Sequence, residues 1–231
     1  MEELKKWITD KPDRARWAPY FLFVIITAMQ GMLGDDSSYW MYALKTVIGA
    51  WMIWATWDVV KEMRWTISWE AVAVGFVVFG LWVGLDGLYP PIDKILSWDI
   101  PKEREATWNP FEMYGAGSLL GWFYIVIRIA GSSLVVPLIE ETFFRSFVYR
   151  WLISEKFEQI PLGKFEKRSF FITCIVFGLI HFEWLPGILC GFLYMGLVIR
   201  KKRLGDAITA HAITNFLLGL YVVIFERYYY W

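Results

Sequence analysis

The chain has 231 residues, of which 57% are hydrophobic and 15 are Trp, and its 23 Lys and Arg balance 23 Asp and Glu. Apolar runs that approach the ~20 residues needed to span a bilayer argue against a soluble helical domain, and the zero formal net charge leaves no basic field for nucleic acid. Length and composition fit one polytopic membrane domain over residues 1–231.

The N-terminus, Met1 to Arg16, is polar and of mixed charge, unlike a cleavable signal peptide. The pattern then predicts eight helical segments. The first is Trp17–Leu33, which also serves as the insertion signal, and it ends at Gly34-Asp35-Asp36-Ser37-Ser38. The second, Trp40–Val60, is closed by Lys61-Glu62-Met63-Arg64, and the third, Ile67–Leu85, ends near Asp86-Gly87. The stretch from Leu88 to Phe111 carries Pro90, Pro91, Pro101 and Pro110 and reads as a loop. The fourth segment is Tyr114–Ala130, followed by a turn at Gly131-Ser132-Ser133 and by the fifth, Leu134 to about Lys156. A basic loop from Lys164 to Arg168 leads to the sixth, Phe170–Phe182. The seventh opens at Pro186-Gly187, runs to Ile199 and stops at Arg200-Lys201-Lys202-Arg203; the eighth is Asp206–Phe225. Segments 17–130 form one group of helices, and segments 134–225 carry the polar motifs.

Trp17, Trp40, Trp65, Trp69 and Trp184 stand near segment ends, where an indole has one apolar and one wet side. Gly31, Gly75, Gly80 and Gly84 are candidates for close helix packing. Cys174 and Cys190 lie in apolar runs without metal-ligand spacing and read as small buried residues. The basic residues before Trp17 and those at Arg200–Arg203 both ask for the cytoplasmic side. Eight full crossings would put them on opposite sides, so one segment is expected not to cross fully.

Ionisable residues in a bilayer core are costly, and those that persist pair with each other or do chemistry. Both histidines of the chain, His181 and His211, fall in apolar segments, and Glu140-Glu141-Thr142-Phe143-Phe144-Arg145 follows directly on another apolar run. On a helix Glu141 and Arg145 share a face and suit an ion pair. Glu140 is turned about 100° away, free to face a cavity as a general base. The plainer alternative is a charge cluster at a helix start. Phe177 precedes His181 by one turn, which puts an aromatic ring beside the imidazole, and Glu183 is near enough in sequence to tune it. His211 and Asn215 are four apart and offer N–H donors for an oxyanion. Interhelical hydrogen bonding is their plainer alternative, and Thr209 and Thr214 fit it too. No Ser or Cys stands beside a His, so a covalent acyl-enzyme is not favoured.

Glu140-Glu141-x-x-x-Arg145, then Phe177-x-x-x-His181, then His211-x-x-x-Asn215, in that order in a polytopic chain, resemble the CAAX protease and bacteriocin-processing family, also called the Abi family. A narrower resemblance is to the CAAX-protease-related proteins associated with exosortase systems. The resemblance covers about Leu134 to Leu220 and implies an all-α fold of about eight transmembrane helices around a conical polar cavity. It implies a glutamate-type intramembrane endopeptidase without a cofactor. Glu140 with His181 would activate water, His211 and Asn215 would hold the oxyanion, and Glu141, Arg145 and Phe177 would support them. The expected partners are the lipid bilayer and a membrane-associated protein or peptide, cut near its C-terminus, in a bacterial cytoplasmic membrane. Two alternatives stay open. One is a zinc protease with Glu140, His181 and His211 as ligands, and the other is a non-catalytic immunity or scaffold protein. The residues do not name the substrate, the oligomeric state or the number of crossings.

Overall fold

A computed structural model describes residues 2–97 and 108–231; the part of the expected Leu88–Phe111 loop at 98–107 lies outside the described residues. Among the described residues all regular structure is helical. The helices are α1 (Glu2–Thr9), α2 (Arg14–Ala28), α3 (Ser37–Thr56), α4 (Trp69–Gly84) and the short α5 (Pro110–Tyr114). There follow α6 (Leu119–Ile153), α7 (Lys167–Leu179), α8 (Trp184–Lys201) and α9 (Gly205–Ile224). Short 3₁₀ turns occur at Ile92–Lys94, Phe157–Gln159 and Tyr228–Tyr230.

The expected turn at Gly131-Ser132-Ser133 is not a turn. The fourth and fifth predicted segments form the one 35-residue helix α6, roughly 52 Å long at 1.5 Å per residue. Gly131 has ordinary right-handed helical dihedrals. Its missing side chain is used for packing: a Cβ there would come within 2.6 Å of Thr46 Oγ1 on α3. Away from water, breaking the helix would leave backbone groups without partners, so the ladder persists. It widens to π geometry twice, at Gly131–Val135 and at Thr142–Val148. The first widening ends two residues before Pro137, which has no N–H to donate to Ser133.

Among the described residues three helices, α6, α8 and α9, are long and apolar enough to cross a membrane; α4 is apolar but shorter. The outward faces fit a lipid surround. Phe76 and Val77 on α4, Val126 and Leu134 on α6, and Ile175 and Val176 on α7 are exposed, while Glu141 and Arg145 are fully buried. This inside-out pattern is that of an integral membrane protein.

Contacts gather the chain into two units. The first comprises residues 1–61, 105–139 and 215–231. In it α1, missed by the sequence reading, is held by Ile8 packing on Ala18 and Met52. A two-turn helix is marginal alone, so this contact is what keeps it helical. A second core joins Tyr39, Trp108 and Tyr124. The Lys45 ammonium donates to Thr27 Oγ1 at 3.0 Å and to Gln30 Oε1 at 2.8 Å.

The second unit comprises residues 62–104 and 140–214. Its α7 and α8 form a tight pair because Gly178, Gly187 and Gly191 face the partner helix. A Cβ on Gly178 would lie 2.5 Å from the Ile188 amide nitrogen, and one on Gly191 would lie 2.9 Å from the Cys174 carbonyl oxygen. Both cysteines are buried here with free thiols. Gly75 lets α4 approach α9, where a Cβ would meet Ile213 at 2.8 Å and the Ala210 carbonyl oxygen at 2.9 Å. Gly80 and Gly84, expected in the same role, have nothing within 4 Å and do not serve it. Gly31 serves a turn with φ +81. Gly75→Ala and Gly178→Ala should therefore lower the yield of folded protein sharply, while Gly80→Ala leaves it unchanged. Monodisperse yield in detergent is the measurement.

Candidate active site

Glu140 and Glu141 occur in mid-helix, twelve or more residues from the end of α6, so the helix-start alternative does not hold. Glu141 is the better anchored of the two. Its Oε1 lies 3.1 Å from Arg145 Nη1, one turn on, with both side chains essentially inaccessible. The same Oε1 is 2.9 Å from His211 Nδ1. The Arg145 approach has ion-pair distance without hydrogen-bond alignment, because Nη1 and Nη2 find no hydrogen-bond partner among the described residues. The guanidinium instead rests on aromatic faces, 3.8 Å from the Phe177 centroid and 5.7 Å from that of Tyr194. The π turn at Thr142–Val148 begins directly after Glu141 and contains Arg145, and such widened turns concentrate at functional sites.

Glu140 is half-buried, and its Oε2 is buried without a hydrogen-bond partner among the described residues. The two adjacent acids face different ways as the helical period requires: Glu141 Oε1 meets both Arg145 and His211, while Oε2 of each acid is buried without a hydrogen-bond partner among the described residues.

His181 is not inside a helix, as the sequence suggested. α7 stops at Leu179, and His181 stands in the turn before α8, its N–H donating to Gly178 O at 3.0 Å. The next helix starts at Trp184, two residues before the Pro186 that marked it, because a proline is tolerated in a first turn. His181 Nδ1 is 2.6 Å from the Phe177 carbonyl oxygen. A carbonyl only accepts, so in this contact Nδ1 carries the proton and Nε2 keeps its lone pair. Phe177 joins the two histidines, with its centroid 4.8 Å from the His181 ring and 6.3 Å from the His211 ring. Glu183, expected near His181, accepts instead from the Tyr89 hydroxyl.

His211 is buried on α9 and stacks on Tyr194 with ring centroids 5.2 Å apart. The Tyr194 hydroxyl donates to Thr214 Oγ1 at 2.8 Å, and Thr214 bonds Gly75 O at 3.0 Å. Thr209 donates to Thr66 O. The two threonines therefore act as interhelical glue. Asn215 follows His211 by one turn of α9; in the first unit its Nδ2 donates to Ser132 O at 2.8 Å, which leaves its second amide hydrogen uncommitted. Tyr194 and Trp82, whose ring is 5.9 Å from that of His181, were missed by the sequence reading. The available signal for Tyr194 was a phenol in an apolar helix, since a buried hydroxyl needs a partner. Among the described residues no three His, Cys, Asp or Glu side chains are grouped to hold a metal ion.

Glu140, Glu141, Arg145, Phe177, His181, His211 and Asn215 all fall within residues 122–217, which match the family model described as type II CAAX prenyl endopeptidase Rce1-like. Over this stretch the chain is similar to that family. The match covers less than half of the sequence and begins inside α6. No curated protein and no solved structure matches the chain. The matched region takes in nearly all of α6, the whole of α7 and α8, and α9 as far as residue 217.

Proposed function

We propose that the protein is an intramembrane endopeptidase of the CAAX protease type that uses glutamate-activated water. The observation that carries this reading is the division of labour between Glu140 and Glu141. Glu141 commits its Oε1 to Arg145 and His211, whereas Oε2 of Glu140, like that of Glu141, is buried without a hydrogen-bond partner among the described residues. Glu140 takes a proton from water, and the oxygen attacks the scissile carbonyl. His211 Nε2 and the uncommitted Asn215 amide hydrogen donate to the resulting oxyanion. With Nδ1 directed at Glu141, Nε2 donates when the ring is doubly protonated, and the Glu141 carboxylate balances that charge. The proton held by Glu140 passes to the departing amine as the C–N bond breaks, leaving a new carboxylate and a free amine. His181 Nε2 accepts the second hydrogen of the water and keeps it oriented.

The polytopic architecture belongs to this proposal, with one segment fewer than the eight expected because two of them form α6. The setting is a bacterial cytoplasmic membrane, and the substrate is a membrane-associated protein or peptide. Prenylated CAAX ends are the eukaryotic targets of the family, and a bacterium needs another.

The test is cleavage of a library of membrane-associated peptides by purified wild-type and Glu140→Ala protein in detergent, each with and without a chelator. Chelator-insensitive cleavage by wild type alone is the expected result. Loss of cleavage on chelation would replace this mechanism with the zinc alternative. Asn215→Ala is expected to lower kcat by about 10²–10³ with little change in KM, the signature of a lost oxyanion donor.

A further inference from the structure

The unit of residues 62–104 and 140–214 has two chemically different ends. At one end Glu70, in the first turn of α4, meets Lys201, in the last turn of α8, at 2.6 Å. Asp206, in the first turn of α9, accepts from Ser68 and Thr66 beside α4. Tyr149, near the end of α6, donates to Lys164 O at 2.7 Å and accepts from the Glu166 N–H at the start of α7. The starts of α4, α7 and α9 and the ends of α6 and α8 therefore gather here. Between those helix ends lie nine Lys and Arg: Arg64, four within 154–168, and Arg200 to Arg203.

The other end is built from the turn between α7 and α8 and the segment after α4. Trp184 Nε1 donates to Pro90 O at 3.0 Å, and the Ile92 N–H donates to Phe182 O at 3.3 Å. Trp82 lies against His181 at this same end. The turn at 180–183 has no Lys or Arg. Residues 85–97 contain Lys94 alone, and in the sequence 98–104 add Lys102 and Arg104. The two ends are joined by α8, itself long and apolar enough to span, at roughly 27 Å for 18 residues.

Cytoplasmic loops carry the excess of Lys and Arg. We propose that the basic end is cytoplasmic, that His181 opens toward the opposite face of the membrane, and that the substrate is a peptide segment exposed on that far face. The cluster runs up to His181 at the far-end turn, with Glu140 next to the Glu141 that meets His211 at 2.9 Å. His211, six residues into α9, marks its near side. A segment arriving from the far face meets His181 first. Such a substrate is one already translocated across the membrane, in contrast to a C-terminus lipidated in the cytosol. The orientation stands on charge and contacts alone; the word substrate rests on the endopeptidase reading.

Single cysteines report the orientation without reference to activity. Leu88→Cys and Leu96→Cys replace exposed residues at the His181 end, and Glu155→Cys and Phe165→Cys do so at the basic end. The native Cys174 and Cys190 are buried and give no background. With a membrane-impermeant maleimide on spheroplasts, positions 88 and 96 should label fully, and 155 and 165 only after permeabilisation. The reverse pattern, or labelling of all four on intact spheroplasts, overturns the proposal. In parallel, a peptide supplied outside the spheroplasts should be cut by wild type and spared by Glu140→Ala. Cleavage that requires permeabilisation overturns the far-face substrate. If the labelling holds while no peptide is cut on either side, the endopeptidase reading fails and the orientation survives.

Discussion

Replacing Glu140 with Ala abolishes turnover, lowering kcat by about 10²–10⁴-fold or more, while insertion and thermal stability stay near wild type. The magnitude is that of a lost general base. The stability expectation follows from the surroundings. Glu140 is half-buried, and no protein donor is committed to its buried oxygen, so its removal strands no partner. Glu140→Gln should be equally inactive, because the amide keeps the shape and cannot take the proton. Peptide cleavage and melting temperature in the same detergent decide the matter. Full cleavage by Glu140→Ala removes the mechanism, whereas protection against a bacteriocin that survives Glu140→Ala favours a binding or immunity role.

The neighbouring acid should behave in the opposite way. Glu141→Ala is expected to destabilise the protein by about 3–5 kcal/mol, because it leaves Arg145 buried and uncompensated. Arg145→Ala should cost about as much, for the mirror reason. The double variant Glu141→Leu, Arg145→Met should lose less than either single variant, since it leaves neither charge behind. Unfolding in a denaturant series in detergent checks this order. Stable single variants would mean that the pair is not a buried ion pair in the membrane. Glu141 also orients His211 through the Nδ1 contact, a supporting role of the kind that fixes a histidine's tautomer. Glu141→Gln, which can still accept from Nδ1, should retain more cleavage per folded molecule than Glu141→Ala.

Local pattern made much of this legible. The four-residue spacing of Glu141 and Arg145 yields the expected pair, and Phe177 lies against His181 as one helical turn requires. Most helix ends were found within a few residues because charged or Gly-containing stretches mark them. The largest miss, the turn at Gly131-Ser132-Ser133, comes from reading small residues as punctuation. In a membrane helix the same residues serve as packing surface, and only the presence of Thr46 opposite Gly131 distinguishes the two uses. The glycines and prolines from α6 to α8 do not separate these cases locally.

The sequence by itself determined the helical class, the membrane setting and the short set of ionisable residues, because each follows from periodicity, run length and the cost of charge in lipid. It could not determine which groups pair across helices. That Glu141 serves Arg145 and His211 together, that Phe177 joins both imidazoles, and that Tyr194 backs His211 are contacts between segments tens of residues apart. The grouping of the basic loops at one end of α8 was decided in the same way. Such pairings depend on where helices cross, which is set by the summed packing of small and large side chains along their whole lengths rather than by any local motif.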